Sequence, residues 1–574
     1  MTNGQIAKIL YQLADALEAS GKADAFKSRA YRNGARIIDG MGDSVEELWR
    51  GGKLKGIKGI GDGIARRVEE LATTGKLAEL EVLHQTVAPS LGALSQVEGI
   101  GPKTAQLLYE QLGVVDLDTL EAAAKAGKLR DLPRWSEHKE LQVIDAVGRA
   151  RQFTGRMRLY VAEKEARPML ERVRAVAGVS QALIAGSMRR RRETVGDVDI
   201  LVAADDLAAV SEAFVTAGMV QVVLAHGPTR SSIKTHNGLQ IDLRAVAPES
   251  WGAALHYFTG SKDHNIAIRA RAIRLGLKVN EYGVFRGEER IAGATEEEVF
   301  AAIGLPWIPP ELREGQGEIE AADEGRLPRI VSIEDMRGDL HMHTDASDGR
   351  STLRDMALGA IALGRSYIAI TEHSENLKIA RGLERERIAQ QALDIDKLNA
   401  ELGGKLRVLK GIEADILPNG TLDMADVLPH LEWRIGSLHG QFSLPRDEQT
   451  KRVIRAMESG LIDVLGHPTA RLIESRAPAD LDMEAVIQTA ARTGVALEVN
   501  SFPDRLDLSD VHCRMARALG AWIVVDSDAH GVAHQAGLTY GVDVARRGWL
   551  EPRHILNTYP VEELLRRPRA PRPA

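Results

Sequence analysis

Periodicity and motif placement predict a multidomain fold: an all-α N-terminal region, an α/β middle, and a C-terminal distorted β/α barrel. Three observations carry this. Residues 1–150 are helix-patterned, punctuated by glycine and almost free of strand signal. Residues 151–311 alternate helices with short strands, two of which carry acids on one face. Beyond residue 337, apolar runs at 367–371, 406–412, 464–466, 495–500 and 522–526 alternate with helical stretches and end in polar residues. In a β/α barrel the chemistry sits at those strand ends.

Bulk properties agree with several folded domains. At 574 residues the chain exceeds one core, and roughly 100–200 residues per domain implies three to five. A hydrophobic content of 44% excludes a disordered chain. The single cysteine, Cys513, excludes an intrachain disulfide and a cysteine-built metal site, and fits a reducing cytoplasm. Neither a signal peptide nor an apolar run of ~18 residues is present, so a soluble protein in the cytoplasm is expected. The net charge of −7 argues against nucleic acid for the chain as a whole, but an acidic domain can mask local basic surfaces.

Two N-terminal segments share a design. Gly59-Ile60-Gly61 leads into Asp62-Gly63-Ile64-Ala65, and Gly99-Ile100-Gly101 leads into Pro102-Lys103-Thr104-Ala105. In each, a tight glycine turn joins two helices, and its backbone N–H groups can hold a phosphate without reading sequence. The pair is a helix-hairpin-helix signal, in domains expected at 1–85 and 86–150. Residues 52–83 resemble the N-terminal lyase domain of the DNA polymerase X family, which grips the 5′ phosphate of a gap. That resemblance implies phosphate binding by Lys27, Arg29 and Tyr31, and DNA binding at Gly59, Gly61, Gly99 and Gly101. It also places Arg67 where the family's Schiff-base lysine belongs. Arginine stays protonated and cannot be the amine nucleophile, so binding is expected and the lyase step is not. Nothing in the sequence favours Lys55 or Lys58 as a substitute.

Residues 186–202 read GSMRRRRETVGDVDILV. Val198, Ile200 and Val202 fall on one strand face, Asp197 and Asp199 on the other. Adjacent carboxylates repel unless a cation lies between them, and the Gly-Ser turn with four arginines supplies a positive patch suited to a triphosphate. Asp242, within Gln240-Ile241-Asp242-Leu243-Arg244, adds a third carboxylate from another strand. Three such acids suit a two-metal nucleotidyltransferase site, a superfamily with several possible substrates. Tyr257-Phe258-Thr259-Gly260-Ser261, Asn265, Arg269 and Asn280-Glu281-Tyr282 narrow it, because this block resembles the nucleotide-selecting subdomain of the polymerase X family. The resemblance implies a palm at 151–245 and that subdomain at 246–311. It implies Ser187, Arg190, Gly196 and Arg156 on the triphosphate, and Tyr257, Phe258 and Gly260 against the sugar. Asn265 would meet the base edge and Arg269 the template strand, with Mg²⁺ or Mn²⁺ at the acids.

Residues 312–336, rich in Glu, Gly and Pro, read as a linker. The region 337–574 then places His341, His343, Asp348, His373, Glu413, His439, His467, Asp528 and His530 at successive strand ends. Of the eight histidines between residues 339 and 530, only His430 and His512 fall outside the pattern, and they read as structural. Nine N/O ligands exceed one ion and suit two or three Zn²⁺, Mn²⁺ or Fe²⁺ ions, with Glu413 best placed to bridge. This order resembles the PHP (polymerase and histidinol phosphatase) domain with every ligand position filled. Joined to a polymerase X core, it implies a 3′→5′ exonuclease, often Mn²⁺-dependent, with 3′-end cleaning or abasic-site cleavage as further options.

The sequence therefore reads as a template-directed, gap-filling DNA polymerase of base excision repair carrying a PHP nuclease. It is expected to be a nucleoid-associated monomer acting on gapped or primer–template DNA with a 5′-phosphate and on dNTP. A hinge at 312–336 would let one 3′ end reach both sites. The rival readings are a 3′-end nuclease or phosphatase whose polymerase half only binds DNA, and a polymerase whose PHP cluster is a structural scaffold.

Overall fold

The structure is a computed structural model. It describes residues 156–566 without a break and, before them, chiefly 25–39, 45–52, 60–74, 102–114 and 117–130, with single residues elsewhere. The chain divides into two compact units, Met1–Met157 and Arg158–Ala574.

In the first unit, helices α1 (Ala25–Asp39) and α2 (Asp62–Thr74) share a core of Tyr31, Ala35, Ile38, Ile60, Ile64, Val68 and Leu71. Gly34 allows the approach, since a Cβ there would lie 2.5 Å from the Ile64 side chain. Exposed Gly61 opens α2, and its carbonyl accepts from Ile64 and Ala65, as a hairpin turn requires. Helix α3 (Pro102–Leu112) starts with proline at its first position, where no intrahelical N–H is lost. Gly59, Gly99, Gly101, Lys55 and Lys58 lie outside the described residues, as does the side chain of Arg29.

The second unit opens with α4 (Leu159–Arg174) and a five-stranded sheet: β1 (Val179–Ile184), β2 (Asp197–Ala204), β3 (Val220–Ala225), β4 (Arg230–Thr235) and β5 (Gln240–Val246), in the order β1-β2-β5-β4-β3. Only β2 and β5 run parallel, with Asp199 opposite Asp242. Val198, Ile200 and Val202 are fully buried, as their alternation predicts. On the acid-bearing face, Leu201 and Ala203 pack with Trp251, Ala254 and Leu255 of α5 (Trp251–Thr259). Helix α6 (Lys262–Arg274) and the antiparallel strands β6 (Lys278–Asn280), β7 (Gly283–Arg286) and β8 (Glu289–Ala292) complete the subdomain.

Residues 312–336 do not form a free linker, correcting the sequence expectation. Leu312, Ile319, Ala321 and Ala322, the last three on α7 (Glu318–Asp323), join the core of Ile268, Val299 and Phe300, and Trp549 from the far end of the chain enters the same core. The polar composition misled because the charges are paired inside. Fully buried Arg313 meets Glu296 at 2.6 Å, and Glu318 meets His264 at 2.8 Å.

Seven parallel strands follow in sequential order: β9 (Gly338–Asp339), β10 (Tyr367–Ile370), β11 (Arg407–Asp415), β12 (Trp433–Ser437), β13 (Val464–Leu465), β14 (Ala496–Asn500) and β15 (Ile523–Asp526). Bridging of Met342 with Ala529, and the His343 N–H to the Ala529 carbonyl at 2.9 Å, joins the first strand to the last. The barrel is thus nearly closed. Strand β12 is absent from the apolar runs because Arg434 interrupts it; the guanidinium is buried against Asp463 at 2.9 and 3.0 Å.

Candidate functional site

Every PHP-like position predicted from sequence lies at or beyond the C-terminal end of a barrel strand. His341 and His343 follow β9, His373 follows β10, Glu413 ends β11, His439 follows β12, His467 follows β13, and Asp528 and His530 follow β15. Asp348 comes from the loop after β9.

Glu413 is the hub. Its Oε2 lies 2.8 Å from His373 Nδ1, 3.4 Å from His341 Nε2 and 3.7 Å from His343 Nε2. Its Oε1 lies 3.0 Å from His467 Nε2 and 3.2 Å from His439 Nε2. Asp528 Oδ1 stands 3.3 Å from His343 Nε2, and Asp348 Oδ2 lies 3.3 Å from His530 and 3.5 Å from His373. All nine residues therefore converge.

The donor atoms fit divalent metal ions. Both Glu413 oxygens, His341 Nε2, both His343 nitrogens and His373 Nδ1 are buried with no hydrogen-bond partner. Orphaned polar atoms of this number are costly unless something binds them. Burial and the neighbouring His373 and His530 push His343 down to about 3, so its lone pair stays available. Burial alone would raise Glu413, yet His439, His341 and His373 hold it well below the usual carboxylate range. Three four- or three-residue groupings in this cluster have ligand atoms within 4.8 Å of one another. A cavity of about 320 Å³ opens onto the cluster, flanked by Ile379 and Arg505.

The sequence reading missed the groups that fix these imidazoles. Glu498 Oε1 takes His341 Nδ1 at 2.6 Å, and Asp415 Oδ1 takes His439 Nδ1 at 2.6 Å. Asn500 donates to Asp528 Oδ2 at 3.0 Å. Such partners set the tautomer, leaving the other nitrogen to face the ion. Asp415 lay in view two residues beyond Glu413; Glu498 carries no local signal and is recognisable only across the barrel. His430 and His512 stay outside the cluster, as expected: His430 ends a 3₁₀ turn, and His512 faces Ser509 at 3.1 Å.

In the five-stranded sheet, Asp197, Asp199 and Asp242 stand on adjacent strands. Burial, then the charges of Asp197 and Asp242, push Asp199 up to about 7. That is the signature of carboxylates arranged for a cation, and the set fits divalent metal. Gly186 sits directly on Asp199: its φ is +62°, and a Cβ would lie 2.6 Å from Asp199 Oδ2. Ser187, half-buried, and Gly196 flank the acids along the chain.

The arginine run is not an open positive patch, which corrects the sequence reading. Arg189 is paired with Glu296 at 2.7 Å, Arg190 with Glu314 at 3.0 Å, and Arg191 with Asp543 at 2.6 Å. Arg190 also donates to the Thr259 carbonyl at 2.5 Å, beside Gly260, where a Cβ would meet its Nη1 at 3.2 Å. Tyr257 and Phe258 are half-buried and meet edge-on at 5.2 Å. Asn265 donates to the Tyr257 carbonyl at 2.7 Å, and Arg269 is exposed on α6. Arg244, unremarked in the sequence, lies over the Phe258 ring at 5.2 Å, and its charge opposes the rise at Asp199.

In the first unit, Lys27 and Arg67 both pair with Glu79, Lys27 at 2.6 Å, and Arg67 Nε reaches the Tyr31 hydroxyl at 3.5 Å. Arg156 is exposed at the end of that unit.

Comparison with known proteins spans the chain. Family models described as helix-hairpin-helix domain, SAM-like helix-hairpin-helix tandem, DNA polymerase beta thumb and PHP domain match residues 1–77, 91–149, 254–314 and 339–502. The DNA polymerase/3′-5′ exonuclease PolX of Bacillus subtilis is 36% identical over 569 residues, covering 98% of this chain and 99% of the relative. DNA polymerase lambda of Arabidopsis thaliana is 25% identical over 54% of this chain and 62% of its own length. A protein named "Probable phosphatase" from Vibrio cholerae is 29% identical over 38% of this chain and 88% of its own length.

Proposed function

Since the chain belongs to the DNA polymerase/3′-5′ exonuclease PolX family, we propose how its two sites divide the work on DNA. The protein is a DNA polymerase joined to a PHP exonuclease. Beyond that, it fills short gaps in base excision repair, adding dNTP to a primer 3′-hydroxyl and trimming 3′ ends. Among the described residues no helix is long and apolar enough to cross a membrane.

At the synthetic site, Asp197, Asp199 and Asp242 would hold two Mg²⁺ or Mn²⁺ ions. Such ions lower the pKa of the attacking hydroxyl and neutralise the leaving pyrophosphate. The chain's own share is placement. Gly186 keeps the backbone of the Gly-Ser turn against Asp199, so that Ser187, Arg190 and Gly196 can face a triphosphate. Tyr257, Phe258 and Gly260 would wall the sugar, and an aromatic pair at its 2′ position excludes a hydroxyl sterically. Asn265 and Arg269 would face base and template.

At the hydrolytic site, the nine-residue cluster would hold two or three Zn²⁺, Mn²⁺ or Fe²⁺ ions. These ions would supply a nucleophilic water and charge stabilisation at a phosphodiester. Glu413, kept ionised, would ligate them; the buried walls exclude bulk water; and Glu498 and Asp415 hold His341 and His439 in one tautomer. In the N-terminal unit, Lys27, Tyr31 and Arg67 would receive a 5′-phosphate.

One observation carries the two-site reading: two separate clusters gather groups that suit divalent cations, three carboxylates on adjacent sheet strands and nine imidazoles and carboxylates at the barrel mouth. The test uses one-nucleotide-gap DNA with a 5′-phosphate. Asp197→Ala/Asp199→Ala should abolish extension and spare degradation, and His341→Ala should do the reverse. Loss of both activities in either variant would refute the division.

A further inference from the structure

The triphosphate loop of the palm does not hold its shape alone. It spans residues 186–193, from Gly186 on Asp199 to Glu193, and barrel residues hold it at Arg190, Arg191 and Glu193. Arg191 adopts φ +57°, a left-handed conformation costly for a side-chain-bearing residue unless its surroundings enforce it. Its guanidinium is held by Asp543 at 2.6–2.7 Å, on helix α8 (Leu538–Arg547), and by Glu163 of α4 at 3.3 Å. From the last residue of that helix, buried Arg547 donates to the Arg190 carbonyl at 2.7 Å and to Glu314 at 2.9 Å. Glu314 in turn holds the Arg190 guanidinium at 3.0 Å. Arg471, after β13, closes the loop by pairing with Glu193 at 2.5 Å.

We propose that α8 of the PHP barrel is the clamp that shapes the polymerase's nucleotide loop, with Asp543 and Arg547 acting as positioning residues for the incoming dNTP. The proposal rests on the reading of that loop as the triphosphate site. Its chemistry is specific. Asp543 fixes the strained backbone at Arg191, while Arg547 fixes both the Arg190 carbonyl and the carboxylate that aims the Arg190 side chain. Neither residue touches the nine barrel ligands. The clamp should therefore act on nucleotide affinity and leave hydrolysis alone.

The experiment uses the full chain and measures steady-state single-nucleotide gap filling in Asp543→Asn and Arg547→Met. Asp543→Glu and Arg547→Lys serve as conservative partners. Asp543→Asn and Arg547→Met should raise the KM for dNTP about tenfold, equivalent to ~1.4 kcal/mol of lost binding, with kcat and the KM for gapped DNA little changed. The conservative variants should recover part of the loss. Exonuclease activity and melting temperature, read on the same samples, establish that the barrel is intact. Asp543 lies at the interface rather than in a core, so its variant remains informative if Arg547→Met fails to fold. A folded, exonuclease-competent Asp543→Asn with the wild-type KM for dNTP would overturn the clamp. Incorporation that survives Asp197→Asn would instead overturn the palm assignment beneath it, so the two failures are distinguishable.

Discussion

At His341 the imidazole is held from behind: Nδ1 meets Glu498 at 2.6 Å, so Nε2 turns toward Glu413 and Asp528. Glu498 also accepts the His467 backbone N–H at 2.5 Å, so one carboxylate orients ligands from two different strands. Partners of this kind are worth 10–100-fold in metal affinity. Glu498→Gln keeps the shape and removes the charge, so the protein should lose barrel metal on dialysis by about that factor. Exonuclease activity should fall with it while gap filling persists. Metal content matching wild type would contradict the role. The nine clustered residues were legible in the sequence, because imidazoles and carboxylates recur at strand ends where no core needs them. Glu498 was not, since an acid in an apolar strand announces itself only when the histidine opposite is known.

At the scale of elements, the hairpin helix α2 illustrates a family site with altered chemistry. Arg67 sits where an amine nucleophile is expected, tied to Glu70 at 2.8 Å, to Glu79 and to the Tyr31 hydroxyl. Partial burial acts against its charge, but the hydrogen bonds to Tyr31 and Glu70 and the charge of Glu79 hold its pKa above the usual arginine value. A permanently protonated group cannot form a Schiff base. Borohydride treatment with an abasic, 5′-incised substrate should therefore trap no adduct on α2, and an adduct mapped by peptide sequencing to Arg67's helix would sink this view. Strand β12 shows the opposite case, an element that pattern reading overlooks. Its buried Arg434 breaks the apolar alternation, and only Asp463 on the far side makes that charge tolerable inside the sheet.

On the scale of the whole molecule, the five-stranded sheet, the helices and strands after it, and the barrel form a single compact unit, Arg158–Ala574. Trp549, 6% exposed, follows the barrel helix α8 yet packs with Phe300, Ile319 and Leu312. Removing such an aromatic typically costs about 3–5 kcal/mol. For the isolated 158–574 unit, calorimetry of Trp549→Ala should show one transition moved down as a whole. Two transitions with only one displaced would mean that the domains unfold independently. The same packing removes the expected hinge at 312–336, since that stretch is built into the core instead of spanning a gap.

The sequence by itself determined the chemistry. Asp197, Asp199 and Asp242 and the nine clustered barrel residues are readable because acids and imidazoles recur at strand positions that an apolar core does not call for. The tertiary structure decided how charge is distributed. Four consecutive arginines look like an open anion site, yet Arg189, Arg190 and Arg191 are held by Glu296, Glu314 and Asp543, 107 to 352 residues away along the chain. A glutamate-rich segment looks like a linker until its Arg313 is found buried against Glu296 and its Glu318 against His264. In both cases the deciding term is the same: burying a charge costs far more than leaving it in water unless a partner is already in place. Partners this distant in sequence exist only once the chain has folded.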